Sequence, residues 1–311
     1  MSKYLRNWLV LAAVALPTMV FAQASEKYAN AMIWAKPLSN PVYNDFAMIK
    51  REVNLVYIYQ TLPSHIEFGG SDYALDGDLN AFAIQAEIPL TDSLSLVANK
   101  SGYTDFNPRY TLTNQDGFND LSAGLKWAFL ACENYTLALR LTVEFPIGET
   151  EVFQGNGDGN ISPALLGTYF YGNNAFNAVV GAILPLDDDE ESTMGYASIA
   201  HAYRVNDWFS THLELNWFGV IESGNGDATF EHQLNGAENL LPSYLTFEGG
   251  DLINFGATNA EDHPSFVSLA AGGRFQLTDG ISLGLAYEIP LSSKEHGLMD
   301  QRVTAHLTAT F

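Results

Sequence analysis

The chain has 311 residues, 36 of them acidic and 14 basic, for a formal net charge of −22. Apolar residues make up 47% of it and charged residues only 16%, which excludes an acidic disordered tail and a coiled coil. Nucleic acid is excluded as a partner, because phosphate recognition rests on clustered Lys and Arg and no basic patch exists.

In chain order, Lys3 and Arg6 form a basic head and residues 8–21 are mostly apolar. Val20-Phe21-Ala22 places small residues at the two positions a signal peptidase reads, so 1–22 are predicted to be a cleaved signal peptide. The apolar run, about 15 residues, is short of the roughly 20 that a spanning helix needs. Without Lys3 and Arg6 the exported chain keeps 12 basic residues and a charge near −24. Residues 23–50 carry Trp34, Pro37, Pro41 and Tyr43 without a clean period. Their apolar stretches 31–34 and 46–49 do not suit a solvated tail, so a plug folded inside the rest of the molecule is expected, with a periplasmic tail as the alternative.

From residue 50 onward the apolar residues alternate with period two. In 134–146, Tyr135, Leu137, Leu139, Leu141, Val143 and Phe145 share one face, and Thr136, Ala138, Arg140, Thr142 and Glu144 share the other. Twelve strands are predicted: 51–60, 80–90, 94–103, 118–130, 134–146, 161–171, 175–185, 193–204, 208–221, 265–277, 281–291 and 298–311. Five connections are tight and rich in Asn, Asp and Gly: 91–93, 131–133, 172–174, 205–207 and 278–280. The alternate connections, 61–79, 104–117, 147–160, 186–192, 222–264 and 292–297, are mostly longer and polar. Strict alternation of short and long connections puts all long loops at one end of an antiparallel meander. That is the plan of a twelve-stranded transmembrane barrel with short periplasmic turns and long outer loops, and it fits poorly with a soluble two-sheet sandwich. Lone Cys132 has no disulfide partner and reads as an inert thiol in a turn.

The last strand alternates Arg302, Thr304, His306, Thr308 and Thr310 against Val303, Ala305, Leu307, Ala309 and Phe311. It resembles the C-terminal strand of bacterial outer-membrane proteins, which ends on an aromatic residue. The resemblance implies an outer-membrane location in a Gram-negative cell and recognition of Phe311 by the barrel assembly machinery. The segment Gly117-Phe118-Asn119-Asp120-Leu121-Ser122-Ala123-Gly124-Leu125-Lys126, with the strand rhythm from 80 onward, resembles the MetA-pathway phenol-degradation family of outer-membrane barrels. That resemblance implies transport of small solutes, hydrophobic or aromatic ones among them.

In such a barrel the inward parity selects Lys126, Arg140, Arg204, Arg274 and Arg302, with Glu87, Glu144, Glu214, Glu288 and Asp120 facing them. Charges turned to lipid would cost about 2–4 kcal/mol each at mid-depth, which is the physical reason for that parity. Two readings stand: ion pairs that stiffen a narrow barrel, and a selectivity lining for polar or anionic solutes. Lys100 joins this set, though the parity of 94–103 is ambiguous. His212 and Glu214 share one inward face, read as a polar lumen pair with catalysis as a remote second reading. In loop 222–264, Leu240, Leu241, Tyr244, Phe247 and Phe255 are expected to pack as a lid over the mouth.

His232 and His263 lack ligand spacing to a cysteine or a second histidine, so no metal and no cofactor are predicted. The run Asp187-Asp188-Asp189-Glu190-Glu191 reads as a solvated acidic loop, with cation recruitment as the other reading. Asn156-Gly157-Asp158-Gly159-Asn160 lacks the later Glu of a calcium loop and reads as a turn. The functional expectation is a channel for passive uptake of small solutes, whose partners are outer-membrane lipids, the assembly machinery and a small-molecule solute. The alternative is a structural or adhesion barrel with acidic loops and a closed lumen.

Overall fold

The computed structural model describes residues 31–234, 240–260 and 264–311. The signal-peptide expectation for 1–22 lies outside them. Among the described residues the first strands are β1 (Glu52–Thr61), β2 (His65–Phe68), β3 (Ser71–Ala74), β4 (Gly77–Pro89), β5 (Leu94–Lys100) and β6 (Tyr103–Pro108). Then come β7 (Gln115–Phe118), β8 (Leu121–Ala131), β9 (Tyr135–Phe145), β10 (Asn160–Tyr171) and β11 (Asn174–Pro185). The last are β12 (Thr193–Arg204), β13 (Phe209–Glu222), β14 (Ser265–Thr278), β15 (Ile281–Pro290) and β16 (Gln301–Thr310).

Strands β5 and β6 act as one barrel strand broken near Gly102, and β7 and β8 as another, so the main sheet closes as a twelve-stranded antiparallel barrel. Closure comes from β1, which pairs with β16 through Leu55↔Leu307 and with β4 through Leu55↔Ile84. No strand edge then faces lipid with unpaired backbone groups, as a membrane-spanning sheet requires. Phe311 follows β16; its N–H donates to the Arg51 carbonyl at 3.2 Å while its ring stays exposed.

Two sequence expectations need correction. Residues 104–117, expected as a loop, contribute most of β6 and part of β7, which extend the sheet beyond the loop-side end of the wall. Their alternation is obscured by Asp105, Asn107 and Gly117, and pairing with β4 supplies the order that periodicity does not show. Residues 61–79 likewise hold the β2–β3 hairpin and the start of β4. The ambiguous parity of 94–103 has a local cause, because the register shifts between Ala98 and Lys100 and the chain turns at Gly102 with φ of 121°. A Cβ at Gly102 would lie 1.9 Å from the Phe82 carbonyl oxygen, so only glycine fits.

The barrel is inverted relative to a water-soluble protein. Along β9 Thr136, Ala138, Arg140, Thr142 and Glu144 are buried, while Tyr135, Leu139, Leu141 and Phe145 are exposed. Leu55, Ile84, Leu215 and Leu285 continue that apolar outer band on other strands. Among the described residues no helix is long and apolar enough to cross a membrane; the strands do the crossing. Aromatic side chains such as Trp208, Phe209 and Phe275 pack together near the short-turn end, with ring centroids 4.8–6.1 Å apart.

Candidate functional site: the occupied barrel lumen

The lumen is filled by the chain itself. After a short helix, Ala31–Ala35, residues 36–50 run inside the barrel and are almost wholly buried. Their backbone polar groups need partners, and the wall supplies them. Glu214 on β13 accepts from the N–H of Leu38 at 2.7 Å and of Ser39 at 2.8 Å, and from Ser39 Oγ at 2.6 Å. The His306 ring lies 2.7 Å from the Leu38 carbonyl oxygen, and Arg274 Nη2 donates to the carbonyls of Lys36 and Pro37 at 3.4 and 3.5 Å. Lys126 donates to Glu87 at 2.6 Å, to the Phe46 carbonyl at 2.9 Å and to Asp45 at 3.3 Å. Arg140 lies 3.7 Å from Asp45 and donates to the Tyr43 carbonyl at 3.2 Å. Lys36 and Lys50 both pair with Glu52 at the short-turn end. Apolar contacts complete the seat: Trp34 and Phe46 pack on Phe170, and Tyr43 packs on Tyr196 and Phe218.

From the opposite end, the loop after β13 folds into the mouth. Phe247 and Phe255 are fully buried, and Phe255 packs on Phe153 and Phe230 with centroids 5.1 and 5.7 Å apart. Leu241 and Leu245 belong to the same core, which reaches Val56, Ile58 and Leu79 on the wall. Leu240 and Tyr244 depart from the lid expectation, being 38% and 42% exposed; Tyr244 stacks on Phe68 of the β2–β3 hairpin. The reason is the single helical turn Leu241–Tyr244, which cannot bury all its faces. One ion pair ties the loop to the wall: Asp251 accepts from both Arg302 Nη atoms at 2.7 and 2.8 Å. Glu288 lies 3.7 Å from Arg302 and accepts from Asn216 at 3.0 Å.

Glu87, Lys126, Arg140, Glu144, His212, Glu214, Arg274, Glu288 and Arg302 are thus all buried on the inner face. Arg204 is a correction. It keeps inward parity but ends β12 at a turn, pairs with Asp207 at 2.8 Å and leaves its side chain 36% exposed. Parity gives a side chain's face but not its depth.

His212 Nδ1 is 3.7 Å from Glu214, its Nε2 is 3.1 Å from Ser210 Oγ, and both Nε2 and that hydroxyl reach the Trp34 carbonyl. Those groups are committed to holding the N-terminal segment. Asp45, Asp251 and His306 were not singled out by sequence reasoning; the first two lie in segments without period, where no parity could mark them.

Outside the lumen, Glu151, Glu231 and His232 bring one ligand atom each within 4.8 Å of one another. Eighty residues separate Glu151 from Glu231, so spacing rules give no sign of this grouping, and it qualifies the expectation of no metal ligands.

No family model and no curated protein sequence matches the chain. Among solved structures, it is similar to an outer membrane channel from Pseudomonas putida F1, with a TM-score of 0.56 at 14% identity over 89% of this chain and 98% of that one. A further likeness is to the NanC porin, with a TM-score of 0.49 at 8% identity over 84% of this chain and 98% of that one. Closed twelve-stranded topology, an apolar outer band and the first of these likenesses make this an outer-membrane β-barrel.

Proposed function

We propose that the protein is a channel for passive uptake of small solutes, held closed at rest by its own N-terminal segment. The observation that carries this reading is how the lumen is filled. Its charged wall groups pair with wall neighbours and also bond to residues 36–50: Lys126 reaches Asp45 besides Glu87, and Glu214 accepts from the N–H groups of Leu38 and Ser39. A removable segment thus occupies a passage lined by Lys126, Arg140, Arg274 and Glu87, groups that would favour small polar or ionic solutes. The apolar cavity beside Val56, Ile58, Leu79 and Ile253, about 30 Å³, is too small for an aromatic solute, so nothing in the closed lumen supports that part of the resemblance.

A second reading is favoured by a specific observation. The internal cavities described are only about 10–30 Å³, which suits a shut structural barrel whose outer loops meet a partner. Single-channel recording in planar bilayers separates the two. Removal of residues 23–48 should open a conductance several times that of the intact protein. Equal, near-zero conductance in both, with heat-modifiable folding intact, would favour the structural barrel.

A further inference from the structure

Two cations stand opposite one another on the inner wall. Lys126 on β8 and Arg140 on β9 are direct register partners, and like charges so placed repel unless an anion lies between them. In the closed molecule that anion is Asp45, whose Oδ2 lies 3.3 Å from Lys126 Nζ and 3.7 Å from Arg140 Nη1. Its other oxygen is committed elsewhere, since Oδ1 accepts from the N–H of Phe46 at 2.7 Å. The Arg140 side chain is 1% exposed, and its Nε and Nη1 have no hydrogen-bond partner among the described residues.

The charges around this point do not cancel. Lys36, Lys50, Lys126 and Arg140 meet Asp45, Glu52 and Glu87, four cations against three carboxylates. Lys36 and Lys50 share Glu52, and Lys126 holds Glu87 at 2.6 Å, so Arg140 is the cation with the weakest counter-charge. Of its polar neighbours, Asp45 and the Tyr43 carbonyl belong to the segment 36–50, and the Tyr196 hydroxyl, at 3.4 Å, belongs to the wall. Withdrawal of the segment would strip Arg140 of its counter-ion while Lys126 kept Glu87. A buried guanidinium without an anion is costly, and its planar fork matches the two oxygens of a carboxylate. Asp45 offers it one oxygen, beyond hydrogen-bond distance; a free carboxylate can offer both. A cavity of about 30 Å³ lies beside Asp45 and Arg140, and Lys36 and Glu52 line it towards the short-turn end.

We propose that Arg140 and Lys126 form a carboxylate-binding subsite of the lumen, that Asp45 occupies it as the chain's own stand-in for the solute, and that small organic monocarboxylates compete with Asp45 and release the segment 36–50. Such a subsite sets the solute class of the channel proposed above and rests on that reading for transport, whereas binding and release stand apart from it. Selectivity follows from the same geometry. An ammonium and a guanidinium facing one carboxylate give a planar anion directed donors for both oxygens, while a spherical halide gains only the charge. Glu87 stays bonded to Lys126, so the two wall cations carry one net positive charge between them, matched to one monoanion.

The test uses the full folded chain in detergent, with sodium acetate as the probe, titrated by calorimetry at constant ionic strength in sodium fluoride. Asp45→Asn keeps the acceptor for the Phe46 N–H and removes the competing charge, so acetate should bind it at least about tenfold more tightly than it binds the intact protein. Asp76→Asn, which removes an exposed carboxylate, should bind as the intact protein does. Equal tightening by the two substitutions would reduce the effect to net charge and overturn the proposal, as would unchanged binding in Asp45→Asn. Chloride gives a second check: tightening for acetate with little for chloride supports a carboxylate subsite, and the same tightening for both overturns it. On the wall side, Arg140→Lys in the Asp45→Asn background keeps the charge without the fork, and the preference for acetate over chloride should fall. An undiminished preference would remove Arg140 from the subsite and overturn the proposal. Release is read separately, by proteolysis of the intact protein. Saturating acetate should speed cutting within 36–50 and leave 240–260 unchanged; unaltered cutting within 36–50 would overturn the competition with Asp45. Conductance enters none of these measurements, so acetate that binds and releases the segment in a barrel that never conducts would count against the channel reading alone and leave the subsite standing.

Discussion

Residues 36–50 and the loop after β13 both lie across the lumen, yet different forces hold them. The N-terminal segment adds to its aromatic contacts with Phe170, Tyr196 and Phe218 a dense set of directional polar bonds: Glu214 to two backbone N–H groups, Lys126 to Asp45, Arg274 to two carbonyls. The outer loop is seated by an aromatic core of Phe153, Phe230, Phe247 and Phe255, with one bidentate ion pair at Asp251. Buried polar contacts return to each group about what it lost with its water, so they specify position more than they add stability. Apolar burial is less directional and adds about 1.5–3 kcal/mol for each large side chain. On the proposed channel reading, the contrast makes the inner segment the part that would leave the lumen on opening and the outer loop the part that would stay.

The sharpest way to break this contrast is Phe255→Ala. Losing a fully buried ring should cost the loop about 3–5 kcal/mol of packing. Proteolytic cutting within 240–260 should rise strongly while the heat-modifiable barrel band is unchanged. Unaltered cutting would mean that the loop has no core of its own.

A next effect is pH. Burial raises the Glu248 carboxyl to about 7 against the hydrogen bonds it accepts from Ser192 and the backbone of Gly256 and Ala257. An acid whose folded pKa is raised binds its proton more tightly in the folded state. Stability is therefore fully present below about pH 4.5 and falls as pH rises towards 7, by up to about 3 kcal/mol. Loop cutting should thus be faster at pH 8 than at pH 5, and Glu248→Gln should flatten the profile. A flat profile in the unaltered protein would remove Glu248 from the account of loop seating.

Smaller again is Glu214→Gln, which takes the charge from the acceptor of Leu38 and Ser39 and should loosen the inner segment by about 1.5–3 kcal/mol. Single-channel traces should then show more frequent openings with loop proteolysis unchanged. If loop cutting rose instead, the two segments would be one coupled unit and the contrast would fail. Least of all, Asp76→Asn breaks an exposed pair with Arg109 at 2.9 Å and should shift melting by less than about 1 kcal/mol in either assay.

The sequence by itself determined the barrel. Period-two alternation and five tight turns are local properties, and lipid on one side of a closed sheet leaves little freedom in how such strands assemble. Parity alone also chose which charges face inward, which is why Lys126, Arg140, Glu214 and Arg302 could be read from their spacing. Depth and partnership were decided elsewhere. Arg204 shares the parity of the lumen set yet ends at a turn, and Leu240 and Tyr244 share a helical turn with buried Leu241 yet face solvent. Asp45, Asp251 and Glu191 sit in segments with no period at all, and each finds its surroundings more than thirty residues away in the chain: Lys126, Arg302 and Gly157 respectively. Those juxtapositions exist only after the barrel has closed, because closure is what brings segments from both ends of the chain and several outer loops into one confined, poorly solvated space.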